Sequence, residues 1–414
     1  MGLGYKKLEN GINKFRCVNG TKNAQEMMRS IRIHDAYTAR ILDEVWEEDG
    51  SWDALYKRKA KSGLDEVSLA HFQAAACYRQ SNFLAAYNHQ LASYNAFLRV
   101  FLEMTRWGVH TLFAISKDLS EIALRADMQL RAAGAPTGKM EEATRAINQG
   151  FSMCMTDREP VLNQSRKWGT YHMANLLFGL YLRLHAYNLC VSMIRAIRAS
   201  ELPPLEAFPM SDQVTFRFYR GMLSFRSEKY HAAKEDLLFA LEHCHRSAYS
   251  NKTRILIYLA PMLMMEGRMP HSRILRRYPV IKALYSDIAQ AAKAGNIGRF
   301  AALMAEKEQQ LMDLGVFLAV EHVHKIAVRQ LLYKVYLIDG KPSRISFERF
   351  AQGFTAAGLP MDVAGVECIL VDMIFVGYIK GYLAHEHGMA VLSKQVPFPP
   401  ITSCPAPTSP SNGI

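Results

Sequence analysis

Apolar residues recur at three- and four-residue intervals along the chain as far as about Ile338, with polar positions between them. That period is the signature of helices with one buried face. Leu, Ala, Met and Arg are abundant in this stretch, all good helix formers, and Val, Ile and Thr do not gather into alternating strands. Two breaks interrupt the pattern. The first is Ala132-Ala133-Gly134-Ala135-Pro136-Thr137-Gly138, a loop by composition, and the second is Leu202-Pro203-Pro204-Leu205 with Pro209 and Ser211 behind it. Helices are expected between them over 166–184 and 185–199.

Beyond the second break, Gly221, Tyr230, Ala233, Leu237 and Ala240 fall at the offsets of a tetratricopeptide-type helical hairpin. Gly221 and Ala233 are small enough for two helices to approach closely. Tyr230 and Leu237 fill the seam, and Ser227-Glu228-Lys229 makes the turn. One hairpin cannot bury its own face, so the expectation is a solenoid of stacked helical pairs to about residue 310. A single long helix is then predicted over 316–338, with Phe317, Val320, His324, Ala327, Leu331 and Val335 on one face, stopped by Asp339-Gly340-Lys341-Pro342.

The pattern changes after Pro342. Ser346 is placed to cap a helix carrying Phe347, Phe350 and Phe354, which Gly358 ends. Asp362 caps a second helix over 362–376, with Val366, Ile369, Leu370 and Met373 toward the core. Strands are expected at 379–383 and 389–393, joined by His385-Glu386-His387-Gly388 as a hairpin turn. Two helices and a two-stranded wing make a winged helix. The fold class expected is an all-α solenoid of tetratricopeptide-like hairpins followed by a C-terminal winged helix. Its parts are N-terminal repeats over 1–210, a helical part over 211–340, the winged helix over 341–395, and a Pro-rich tail over 396–414 expected to be disordered.

Composition adds a sign to this picture. Lys and Arg number 50 against 38 Asp and Glu, a formal net charge of +12, which favours acidic partners: nucleic acid or an acidic polypeptide. Half the residues are hydrophobic and the mean hydropathy is −0.07, as in a soluble globular protein. The seven cysteines are odd in number and scattered, which speaks against a disulfide framework and for a reducing compartment. Met1-Gly2-Leu3-Gly4-Tyr5-Lys6 lacks a signal-peptide core and has Lys6 where myristoylation wants Ser or Thr. The apolar run 255–265 is too short to cross a bilayer, so no membrane role is expected.

Candidate chemistry is sparse. No phosphate-binding loop, dinucleotide fingerprint, nucleophile elbow or His-Glu-x-x-His is present, and no catalytic, cofactor or metal site is expected. His243-Cys244-His245 on a helix would point in three directions, and His385 and His387 lack a third ligand. The basic groups say more. Arg217, Arg220, Arg226 and Lys229 precede Arg268, Arg273, Arg276 and Arg277, a candidate electropositive strip. The helix over 362–376 contains no Lys or Arg but does contain Asp362, Glu367 and Asp372, which oppose entry into a DNA groove. Lys341, Arg344, Arg349, Lys380 and Lys394 flank it. They are the candidate nucleic-acid-binding residues, acting through backbone phosphates and not base edges.

Three irregular strings carry a family resemblance. They are Leu238-Phe239-Ala240 through Glu242-His243-Cys244-His245-Arg246-Ser247 with Asn251-Lys252; Ile255-Leu256-Ile257-Tyr258-Leu259 with Pro261, Gly267, Met269 and Pro270; and Ile379-Lys380-Gly381-Tyr382 with His385, Leu392-Ser393-Lys394-Gln395 and Pro397-Phe398-Pro399. The chain resembles the PCI-domain scaffolds of proteasome lid, signalosome and initiation factors. Within them it is similar to the family of PCI-domain-containing protein two and signalosome-associated subunit twelve, with Val396 replacing the expected Asn. The resemblance implies a subunit of a complex in mRNA biogenesis, acting in transcription elongation, splicing or nuclear export. It implies a second PCI-domain protein and a small, acidic, disordered proteasome-lid-type protein as partners, and a nuclear location, with the cytoplasm also open. The acidic partner is expected along Arg217, Arg220, Arg254, Arg273, Arg276 and Arg277. A signalosome-associated subunit that binds only proteins is the alternative.

Overall fold

The computed structural model describes residues 63–401 continuously, together with 28, 31–34 and 38–39. Elements are numbered here from residue 63. Helices α1 (Gly63–Arg79), α2 (Phe83–Phe101), α3 (Val109–Ala132), α4 (Lys139–Met155), α5 (Thr170–Arg183) and α6 (Tyr187–Ala199) are followed by α7 (Met210–Arg226), α8 (Tyr230–His243), α9 (Tyr249–Met265), α10 (Ser272–Arg277), α11 (Pro279–Ala294) and α12 (Ile297–Asp313). Then come α13 (Phe317–His322), α14 (His324–Ile338), β1 (Arg344–Ser346), α15 (Phe347–Ala356), α16 (Val363–Phe375), β2 (Gly381–Ala384) and β3 (Met389–Leu392). The chain divides into two compact units, Met1–Phe216 and Arg217–Ile414.

In the first unit each of α1 to α5 packs on the next. Tyr87, Tyr94, Phe97, Phe101 and Phe178 are fully buried between them. The loop expected at 132–138 is present. Residues 166–169 form a 3₁₀ turn before α5, so that helix starts later than the periodicity suggests. His185, at φ 55°, ends the run and delays α6 to Tyr187.

The second unit holds the predicted hairpin. Lys229 donates its N–H to the Ser224 carbonyl at 2.9 Å, closing the α7–α8 turn through Glu228 at φ 55°. Ala233 is fully buried, and a Cβ on Gly221 would lie 2.9 Å from Leu237 Cγ and 3.2 Å from the Ala233 carbonyl. Glycine is therefore what lets the helices come this close. The single helix expected over 316–338 is instead α13 and α14. Around fully buried Val323, i→i+3 bonds enter the ladder, Val323 N–H to the Val320 carbonyl and Ile326 N–H to the Val323 carbonyl, and interrupt the helix. His324, expected on the core face, is half-buried against the Phe300 ring at 5.7 Å, and burial lowers its pKa.

The winged helix is built as the capping residues direct. Ser346 accepts from the Arg349 N–H and Asp362 from the Gly365 N–H, starting α15 and α16. Phe347, Phe350, Phe354, Val366, Leu370 and Met373 meet Ile326, Leu332 and Val335 of α14 in one core. Three differences from the sequence pattern stand out. The wing is a three-stranded antiparallel sheet of order β1-β3-β2, because Arg344-Ile345-Ser346 adds a strand too short to show alternation. Strand β2 begins at Gly381, not residue 379, since Ile379 is buried and bonds back to the Met373 carbonyl. The segment 385–388 is a 3₁₀ turn closed by left-handed Gly388.

The tail is also corrected at its start. Residues 396–401 pack against the winged helix. Pro397 accepts from the Lys380 N–H at 2.8 Å, Pro399 accepts from Arg329 Nη2 at 2.6 Å, and Phe398 lies against Tyr333 and Tyr336 at 5.2 and 5.4 Å. These are bonds to distant residues, which composition does not register. Residues 402–414 lie outside the described residues. Among the described residues no helix is long and apolar enough to cross a membrane.

Candidate nucleic-acid and partner interface

The wing sheet positions the cations. Arg344 of β1 and Tyr382 of β2 both lie opposite Val391 of β3, while Ile345, Leu383 and Ala390 form the next row. Side chains alternate across a sheet. Ile345 and Ala390 are buried, so the Arg344 row faces solvent, with Tyr382 63% exposed. Lys380 stands just before β2 and accepts from the Ser393 N–H, which places Lys394 just beyond the far end of β3. Lys341 sits at φ 62° in the turn before β1. All four cations are exposed, and none forms an ion pair among the described residues.

Arg349 differs from the other four. Its Nε lies 2.8 Å and its Nη2 2.7 Å from Asp339 Oδ1. The Asp339 carboxylate raises the guanidinium pKa and offsets its charge locally. Asp339 ends α14 ten residues before Arg349, a partner that helix-stop logic did not reveal.

Helix α16 presents no cation to solvent. Glu367 pairs with His385 at 2.7 Å and Asp372 with Lys325 at 3.0 Å, so both acids are held by neighbours. Beside exposed Val363 in its first turn, its exposed positions Ala364, Cys368, Val371 and Phe375 follow 4-3-4 spacing, an apolar stripe in which Val371 is 53% and Phe375 88% exposed. Sequence reasoning registered the missing cations but not this stripe, although the spacing was there to be read.

The helical arginines separate into two groups. Arg220 grips Asp236 through Nε and Nη2 at 2.7 and 2.5 Å, and Arg217 reaches the same carboxylate at 3.8 Å while stacking 4.1 Å over Phe239. Asp236 is buried, so these two arginines clamp α7 to α8. Arg254 on α9 and Arg273, Arg276 and Arg277 on or at the end of α10 are exposed. The His243-Cys244-His245 run is not wholly helical: α8 ends at His243 and Cys244 is extended and buried. His243 stacks on Phe239 at 4.1 Å, and His245 bonds Ser247. Their divergence comes from the chain turning, not from helical phase.

Comparison with known proteins bears on this geometry. A family model for the PCI domain matches residues 289–394, which run from within α11 to the end of the wing. PCI domain-containing protein 2 of Xenopus laevis is 33% identical over 345 residues, covering 82% of this chain and 85% of the relative. Protein CSN12 homolog of Mycosarcoma maydis is 34% identical over 340 residues, covering 76% and 74%. Protein CSN12 homolog of Schizosaccharomyces pombe is 31% identical over 370 residues, covering 86% and 87%.

Proposed function

Because the chain belongs to the PCI-domain family of PCI domain-containing protein 2 and the CSN12 homologs, we propose that it is a non-catalytic scaffold subunit that joins other macromolecules in mRNA biogenesis. Two surfaces of the winged helix divide the work. The rim of Lys341, Arg344, Lys380 and Lys394 takes nucleic-acid phosphates, and the apolar stripe of α16 docks a second PCI-domain protein. The observation that carries the first half is that these four cations stand exposed around one small sheet with no carboxylate paired to them among the described residues. Phosphate binding needs such unneutralised groups. Arg349 is a weaker contributor, since Asp339 already holds it. The exposed Arg254, Arg273, Arg276 and Arg277 supply the basic surface for a small acidic partner. A scaffold of this kind would work in the nucleus.

The test is replacement of Lys341, Arg344, Lys380 and Lys394 by Glu in the assembled complex. Folding and partner capture survive, nucleic-acid affinity falls, and the slope of log affinity against log salt flattens by roughly 3, at about 0.7–0.9 per lost phosphate contact. Sequence preference is slight, because backbone contacts carry little base information. Full binding with an unchanged slope moves the interface to the α9–α10 arginines. The second reading, a signalosome-associated subunit that binds only proteins, is favoured by the apolar, cation-free face of α16. It follows if the wild-type complex binds no nucleic acid even at low salt.

A further inference from the structure

The outward face of the wing sheet holds an aromatic ring among its cations. Arg344, Val391 and Tyr382 form one row across the three strands. At roughly 4.8 Å per strand, Arg344 and Tyr382 stand about 10 Å apart, with the half-buried Val391 between them. Lys380 lies exposed just before β2, two residues from Tyr382, where its carbonyl extends the β2–β3 ladder by accepting from the Ser393 N–H at 2.8 Å. The opposite row, Ser346, Met389 and Ala384, carries no charge. Beyond that end lie carboxylates: Glu348 in the first turn of α15, Glu386 at the wing tip, and Glu367 of α16, paired with His385 of the tip. The face is therefore positive at the Lys380–Lys394 end and bounded by negative charge at the tip.

Phosphate attraction alone explains the lysines but not Tyr382. A 63% exposed ring on the solvent face of the sheet leaves a π-face open to solvent. An unpaired base can stack on such a face, whereas a base inside a duplex is already stacked on both sides. We propose that this face binds single-stranded nucleic acid, with one base stacked on Tyr382 and the neighbouring phosphates held by Arg344 and Lys380. The inference rests on the nucleic-acid reading of the rim and adds the strandedness of its ligand. The strand runs toward the Lys380–Lys394 end and away from Glu386, as charge complementarity requires.

The test compares binding of a fluorescein-labelled single-stranded RNA of mixed sequence and of the same RNA as a duplex, using the full chain at low salt. Tyr382→Ala weakens the single strand about tenfold and leaves the duplex and the salt slope unchanged, because stacking involves no counterion. Tyr382→Trp retains single-strand affinity. Arg344→Gln lowers the salt slope for the single strand by about 0.7. Thermal melting of both Tyr382 variants stays at the wild-type value, since the ring packs little. If Tyr382→Ala binds single strands as wild type does while Arg344→Gln flattens the slope, the stacking site is wrong and the phosphate rim stands. If the wild-type chain binds neither RNA, both fall. If Tyr382→Ala loses the PCI-domain partner with RNA affinity intact, the face belongs to a protein.

Discussion

Arg220 and Arg344 are the same residue type in equally basic stretches, yet one is tied into the interior and the other faces solvent. Asp236, one helix away, claims Arg220 and Arg217 together, while Arg344 lies on the outer face of a sheet with no acid opposite it. Local sequence registered the charges but not the carboxylate sixteen residues on that neutralises them. His71 shows the same limit in another form. Nothing near it in sequence marks it, but it is 1% exposed, with Thr38 Oγ1 3.5 Å from Nε2, and burial lowers its pKa from 6.5 to about 4. The unfolded chain therefore takes up a proton here before the folded chain does. Stability is level above pH 6.5, declines as the pH falls toward 4, and flattens once the folded imidazole is also protonated. The full loss attributable to this group is about 3 kcal/mol. Urea unfolding followed across that range should show a shallower decline in His71→Gln. An identical pH profile in the variant would assign the acid sensitivity to other groups.

Elements were legible wherever a cap or a steric requirement is written into a few adjacent residues. Ser346 and Asp362 start their helices as read, and the α7–α8 hairpin closes around Gly221 and Ala233. Ala233→Leu adds volume where the partner helix leaves none, and overpacking there costs about 1–3 kcal/mol. Thermal melting checks it: a lowered midpoint is expected, and an unchanged one would mean that the crossing is looser than the Gly221 contacts imply. The elements that short spacing does not reveal depend on contacts at long sequence distance. The turn at Val323 follows the burial of that side chain. Strand β1 exists because β3 supplies its partner, forty-odd residues later. Residues 396–401 have the composition of a loose tail, but Phe398 finds Tyr333 and Tyr336, and Arg329 finds the Pro399 carbonyl.

For the whole molecule, the decisive feature is which faces of the winged helix remain open. The α16 stripe of Ala364, Cys368, Val371 and Phe375 is apolar and exposed, a poor surface to leave in water and a suitable one for a protein partner. Phe375→Asp is expected to leave melting unchanged, because the ring is 88% exposed, and to reduce recovery of the proposed PCI-domain partner in affinity purification at least tenfold. Undiminished recovery would place the docking surface elsewhere. The sequence by itself determined the helical class, the winged-helix ending and its caps, the close helical crossing, and the lack of cations on α16. All of these are set by residue type and short spacing, which act within a turn or two of the backbone. Only the tertiary structure decided which cations stay free and which are claimed by Asp236 or Asp339, that β1 completes the wing, and that Arg344 and Tyr382 share one face. Those outcomes depend on pairings between residues far apart in the chain, and strand register and buried ion pairs come into being only when the packed core brings such residues together.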